Sequence, residues 1–155
     1  MSEDTWTDHT IDVYFFNMWG TVIQDITVKF SASKSSVEPN TYTKDSLQPG
    51  EKWGPLPRDY QTGAFSENYD YWYVEFTSTS DPAGKFWNKN NFSCVIDSDI
   101  PDNSELHFWV SGEDTDCYTG FPNSSGGYPG EGGYSGTPKD GPGSDYTCFC
   151  SLDSP

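Results

Sequence analysis

The stretch YWYVEFTST, residues 71–79, decides the fold class. Trp72, Val74 and Phe76 fall on one side of a two-residue repeat, with Tyr71, Tyr73 and Glu75 on the other. Only an extended chain separates these two sets, because successive side chains of a strand point to opposite faces. The first set reads as a core face. For the second, with two tyrosines and a carboxylate, two readings stay open: a face that is also buried, or one that leaves Tyr71 and Tyr73 exposed as a binding surface.

The same alternation recurs on both sides of this stretch. Upstream, IDVYFF (11–16) places Ile11, Val13 and Phe15 together, and VIQDITVKF (22–30) does so with Ile26, Val28 and Phe30. Keeping Val22 or Ile23 inside as well requires a change of phase, which predicts a bulge near Gln24 and Asp25. TYTKDSL (41–47) reads as an edge strand closed by QPGE (48–51), where Pro49 followed by Gly50 fits a type II turn. Pro55 and Pro57 keep the segment around Trp53 and Leu56 from being a central strand, and a short strand is expected from Tyr60 to Phe65. Downstream come KFW (85–87), FSCVI (92–96) and ELHFWV (105–110), the last with Leu106, Phe108 and Val110 on one side and His107 and Trp109 on the other.

Short strands at close spacing with no helical periodicity point to a sandwich or a small barrel. A small antiparallel β-sandwich over residues 1–111 is the expectation. From Gly112 the composition changes: residues 112–155 contain 10 Gly and 5 Pro, close to low complexity. Two readings of this acidic tail stay open, a disordered segment or one draped over the domain.

Apolar residues make up only 33% of the 155 residues, yet the chain carries 6 Trp, 10 Tyr and 10 Phe, so the core is expected to be aromatic. The formal charge is -16, and residues 90–155 hold 11 of the 24 acids against a single cation, Lys139. Such a field repels a phosphate backbone, which excludes nucleic acid as a partner. The opening residues MSEDTWTDHT have neither a basic n-region nor an apolar run, and no stretch is long and apolar enough for a transmembrane segment. The expectation is a cytoplasmic protein, or one exported without a classical signal peptide.

Cys94 lies within a strand pattern and reads as a buried thiol. Cys117 and the pair Cys148 and Cys150 bracket the Gly-rich run, and a disulfide from Cys117 to Cys148 or Cys150 would close a loop of roughly 30 residues, worth about 3–4 kcal/mol. A reducing cytosol argues against that bridge. Asp97, Asp99 and Asp102 surround one turn and Asp114 follows the next strand, and together they are the candidate ligands of a Ca2+ site.

The run from Ile11 to Val110 resembles the up-regulated-in-daf-two domain family. The features that carry the likeness are the two opening strands (11–30), the turn from Leu47 to Gly50, the stretch from Thr62 to Phe65, the aromatic strand from Asp70 to Phe76, and Asn90 to Cys94. The resemblance implies a β-sandwich and an association with stress-induced, defence-related or aegerolysin-like proteins. It brings no catalytic residues with it.

No motif sets a base beside a nucleophile: there is no GxSxG, and His9 and His107 are the only histidines. A non-enzymatic role is therefore expected. Trp19, Trp53 and Trp87, near turns, and Tyr71 and Tyr73, on the outer face of their strand, are the candidate ligand-binding residues, suited to sugar faces or a lipid headgroup layer. The expectation is a recognition module for glycan or lipid, defence-related or toxin-like. The alternative is a self-assembling homo-oligomer whose tail docks on a neighbouring subunit.

Overall fold

The computed structural model describes residues 7–32, 39–62, 69–80, 82–96, 105–121 and 146–155. Nine strands make up the described structure: β1 (Thr7–Met18), β2 (Ile23–Ala32), β3 (Asn40–Leu47), β4 (Lys52–Thr62), β5 (Asp70–Ser78), β6 (Gly84–Asn88), β7 (Glu105–Ser111), β8 (Asp116–Gly120) and β9 (Cys148–Asp153). They form one sheet in the order β3-β2-β5-β6-β9-β8-β7-β1-β4. The two end strands, β3 and β4, are consecutive in the chain and meet again, so the sheet curls into a nearly closed barrel. This corrects the sandwich expected from the sequence and implied by the family resemblance. The finding that overturns it is β9, which pairs with β6 on one side and β8 on the other and so joins the two halves into one sheet. The sheet is not wholly antiparallel either, since β1 and β7 run parallel from Asp12↔Glu105 to Met18↔Ser111.

The inward residues are those the alternation singled out. Ile11, Val13 and Phe15 of β1, Ile26, Val28 and Phe30 of β2, Trp72, Val74 and Phe76 of β5, and Leu106, Phe108 and Val110 of β7 are all buried. Trp72 stands at the centre, its ring 5.3 Å from Phe30, 5.5 Å from Phe108 and 5.4 Å from Phe121. Such inclined ring pairs add about 0.5–1.5 kcal/mol each beyond their area, which is how few aliphatics suffice. The expected bulge is present, with the β2–β5 register shifting between Gln24 and Thr27 and Asp25 at φ 51°. The QPGE turn has Gly50 at φ 80°, as a type II turn requires at its third position.

One segment departs from the strand reading. Residues 92–96 form no strand; one bridge, Tyr71↔Ser93, ties them beside β5. The expectation from Pro55 and Pro57 holds: their strand, β4, is not central but stands at an end of the sheet order. Of the stretch expected from Tyr60 to Phe65, residues 63–65 lie outside the described residues. The boundary expected at residue 111 falls between β7 and β8, and β8 and β9 are strands of the chain's own sheet.

Two features pin the barrel's shape. Asn17 at the end of β1 donates through its side-chain amide to the carbonyls of Thr21 (2.8 Å) and Leu47 (3.0 Å) and accepts from the Trp19 N–H (2.8 Å). Asn88 plays the part of a missing peptide: its side chain donates to the Trp72 carbonyl (2.8 Å) and accepts from the Val74 N–H (2.9 Å), extending the β5 ladder where β6 runs out.

Candidate functional site

Residue alternation along β5 places Tyr71, Tyr73 and Glu75 on the outer wall, all half-buried. The ladder then fixes their neighbours. On β2, Ser31 lies opposite Tyr71, Lys29 opposite Tyr73 and Thr27 opposite Glu75; on β6, Trp87 lies opposite Glu75. Directly opposed residues of a ladder share a face, so Tyr71, Tyr73 and Trp87 belong to one aromatic surface with Lys29 beside it. A groove of about 440 Å³ opens there, lined by Lys29, Ser31, Tyr73 and Asn90. The Tyr73 hydroxyl donates to the Glu75 carboxylate at 2.9 Å, and Lys85 lies 3.7 Å from the other oxygen of Glu75. Burial and this bond to a carboxylate push the Tyr73 phenol up to about 12, so it stays neutral in ordinary buffers.

The remaining candidate residues are elsewhere. Trp19 is a core side chain, packed on Phe76 (4.9 Å) and Phe86 (4.8 Å), and its indole N–H donates to the Pro82 carbonyl at 3.3 Å. Gly112 lies so close to it that a Cβ would come within 2.4 Å of the Trp19 carbonyl oxygen. Trp53, on β4, is half-buried edge-on to Phe15 at 6.3 Å and is not among the residues that line the groove. Asp97, Asp99 and Asp102 lie outside the described residues. Asp114 is exposed and accepts a bond from the Tyr118 hydroxyl at 2.7 Å. Among the described residues no group of three or more His, Cys, Asp and Glu side chains is placed to hold a metal ion.

The cysteines correct the expected pairing. Cys148 is bonded to Cys94, not to Cys117, and the bridge spans a sequence separation of 54. The reason is register: Cys148 lies opposite Thr119 on β8, and the Thr119 hydroxyl in turn contacts Cys94 Sγ at 3.1 Å, whereas Cys117 lies opposite Cys150. Cys117 is a buried thiol and Cys150 a partly exposed one. Because the Cys117 thiol hydrogen-bonds to Cys150, with Lys89 nearby, the Cys150 thiol is drawn down to about 6 against the effect of burial. Burial pushes the Cys117 thiol well up.

Sequence reasoning also missed a charge inside the barrel. Arg58 of β4 is fully buried and 3.5 Å from the buried Asp70. It donates to the carbonyls of Tyr71 (2.8 Å) and Ser31 (2.7 Å), and its guanidinium lies 5.1 Å from the Phe30 ring centre and 4.6 Å from that of Trp72. The signal that could have found it is position, since Leu56, Arg58 and Tyr60 share one face of the strand.

The described elements define a small aromatic-cored β-barrel with a polar, aromatic outer groove. No protein-family model matches the chain, and no curated protein matches it at significance. No helix among the described residues is long and apolar enough to cross a membrane.

Proposed function

We propose that the protein is a non-enzymatic recognition module that binds a glycan in the groove on the outer wall of β2, β5 and β6. The observation that carries this reading is the combination lining and flanking the groove: the Tyr73 ring with Lys29, Ser31 and Asn90, and Tyr71 and Trp87 on the same face. A sugar offers an apolar face of C–H groups for a ring and hydroxyls around its edge for short polar side chains. Lys29 adds a further hydrogen-bond donor for those hydroxyls. A lipid surface fits less well, because a chain of net charge -16 is repelled by anionic headgroups and the aromatic rings of this face are half-buried rather than projecting.

The test is a panel of neutral and acidic oligosaccharides, with phosphatidylcholine vesicles beside it, read by calorimetry and by Trp fluorescence. Saturable oligosaccharide binding is expected, weakened about tenfold or more by Tyr73→Ala, equivalent to about 1.4 kcal/mol or more, and unchanged by Tyr118→Ala on the other wall. Binding to none of the sugars, or binding that Tyr73→Ala leaves intact, sinks the reading; vesicle binding in its place moves the site to lipid.

A further inference from the structure

We propose that Cys117 and Cys150 form a peroxide-responsive dithiol, in which Cys150 is the attacking sulfur and Cys117 the resolving one, and that its oxidation adds a second covalent link between β8 and β9. The two residues face each other across an antiparallel ladder, and both sulfurs are free while the neighbouring Cys148 is already committed to Cys94. Their environments divide the labour. Cys150 is partly exposed and can meet a small oxidant; Cys117 is fully buried and can meet only what Cys150 has become. The neighbouring Cys117 thiol and Lys89 favour a thiolate at Cys150, which is the form that reacts.

Hydrogen peroxide is the oxidant that suits a half-covered sulfur. The Cys150 thiolate attacks one peroxide oxygen, the O–O bond breaks, hydroxide leaves and Cys150 becomes a sulfenic acid. The Cys117 sulfur, giving its proton to the departing oxygen, then displaces that oxygen from Cys150 as water. Two thiols and one hydrogen peroxide thus yield one disulfide and two waters, the two electrons passing from sulfur to the peroxide oxygens.

The second bridge would lie at the strand that joins the halves of the barrel. β9 meets β6 through only two residue pairs, Trp87↔Asp153 and Asn88↔Leu152, so what holds β9 to β8 matters for that junction. With the dithiol reduced, one disulfide anchors the start of β9. With it oxidised, a second link stands two residues further along the same strand.

The test uses the full chain with its Cys94–Cys148 bridge intact, treated with a small excess of hydrogen peroxide near neutral pH. Thiols are counted after denaturation and non-reduced peptides are mapped by mass. The expected result is the loss of both free thiols together, with one new linked pair joining the peptides of Cys117 and Cys150 and the original bridge unchanged. In Cys117→Ser, dimedone should trap a sulfenic acid at Cys150, and in Cys150→Ser the loss of thiol should slow about tenfold or more. The proposal is overturned if both thiols survive peroxide that oxidises a free cysteine peptide, if Cys150 passes to the sulfinic acid without a bridge, or if the new link joins Cys148 to Cys150. The mapping on the unaltered chain decides between these outcomes even where a variant folds poorly.

Discussion

At the β3/β4 junction no backbone ladder joins the strands among the described residues; at the β6/β9 junction a ladder exists but only two residue pairs long. The first is bridged by polar side chains. Asn40 and Asp59 bond to each other, the Tyr42 hydroxyl donates to the Pro57 carbonyl, and Arg58 reaches from β4 to Ser31 on β2 and to Asp70 and Tyr71 on β5. The second is bridged covalently, by Cys94–Cys148 between the segment beside β5 and the start of β9. A disulfide acts largely by restricting the unfolded chain and costs no charge burial. A buried ion pair must recover the desolvation of both partners, and here the recovery is incomplete, since Arg58 Nε makes no hydrogen bond among the described residues.

That difference fixes the largest expected effects. Arg58→Met leaves Asp70 buried without its cation and should cost about 3–5 kcal/mol in urea unfolding, whereas Arg58→Met with Asp70→Asn should recover much of it, because the penalty belongs to the stranded charge. If the double substitution is as damaging as the single one, the guanidinium's bonds to the Ser31 and Tyr71 carbonyls matter more than its charge. Replacing Cys94 and Cys148 together by Ala should cost about 4 kcal/mol, the value expected for closing a loop of this length. Reductant should reproduce that loss in the unaltered chain and add nothing to it in the variant.

The alternating faces of β1, β2, β5 and β7 were legible because each buries residues two apart, and so was the bulge at Asp25, which is what keeps Ile23 and Ile26 both inside. Barrel and sandwich share that alternation. They differ in which distant strands pair, and the strand that decides it, β9, is six residues long within a Gly- and Pro-rich setting that masks it. The outer-wall tyrosines of β5 were legible for the same reason as the core. Lys29, Ser31 and Asn90 were not, because what brings them to Tyr73 is register and chain reversal rather than any local pattern. The cysteine pairing was hidden likewise: Cys148 and Cys150 lie two residues apart on the same strand, but only Cys148 reaches Cys94.

Acidity offers a finer probe, because it acts on the polar junction and leaves the covalent one alone. Burial raises the Asp70 carboxyl to about 6, with the Arg58 guanidinium and the Ile96 N–H opposing it. Between pH 4 and 6 the folded protein therefore holds a proton that the unfolded chain has released, so this group's stabilising contribution is full below pH 4 and falls by about 3 kcal/mol as pH rises past 6. His107 on β7 works the other way. Burial, aided by Lys52, lowers it to about 4, so its contribution is full above pH 6.5 and is lost, by about 3 kcal/mol, as pH falls toward 4. The two slopes nearly cancel in the unaltered protein. In His107→Gln stability should fall with rising pH across this window relative to the parent, and in Asp70→Asn it should rise. Parallel profiles for parent and variants would show that these groups do not titrate with folding.

The smallest expected effect asks whether the two junctions are independent. They meet at one side chain: the Trp72 ring lies 4.6 Å from the Arg58 guanidinium, and its indole N–H donates to the Cys94 carbonyl at 3.0 Å. Sites with no shared partner add in free energy, whereas sites that share one couple by about 0.5–3 kcal/mol. Combining Arg58→Met with removal of the Cys94–Cys148 bridge should therefore depart from additivity by about 1 kcal/mol, near the low end because neither substitution deletes the Trp72 ring itself. The expected sign is a combined loss smaller than the sum, since freeing either neighbour already loosens Trp72 and leaves the second change less to undo. Strict additivity in urea unfolding would mean that Trp72 is held by its other contacts, with Phe30, Phe108 and Phe121, firmly enough to insulate one junction from the other.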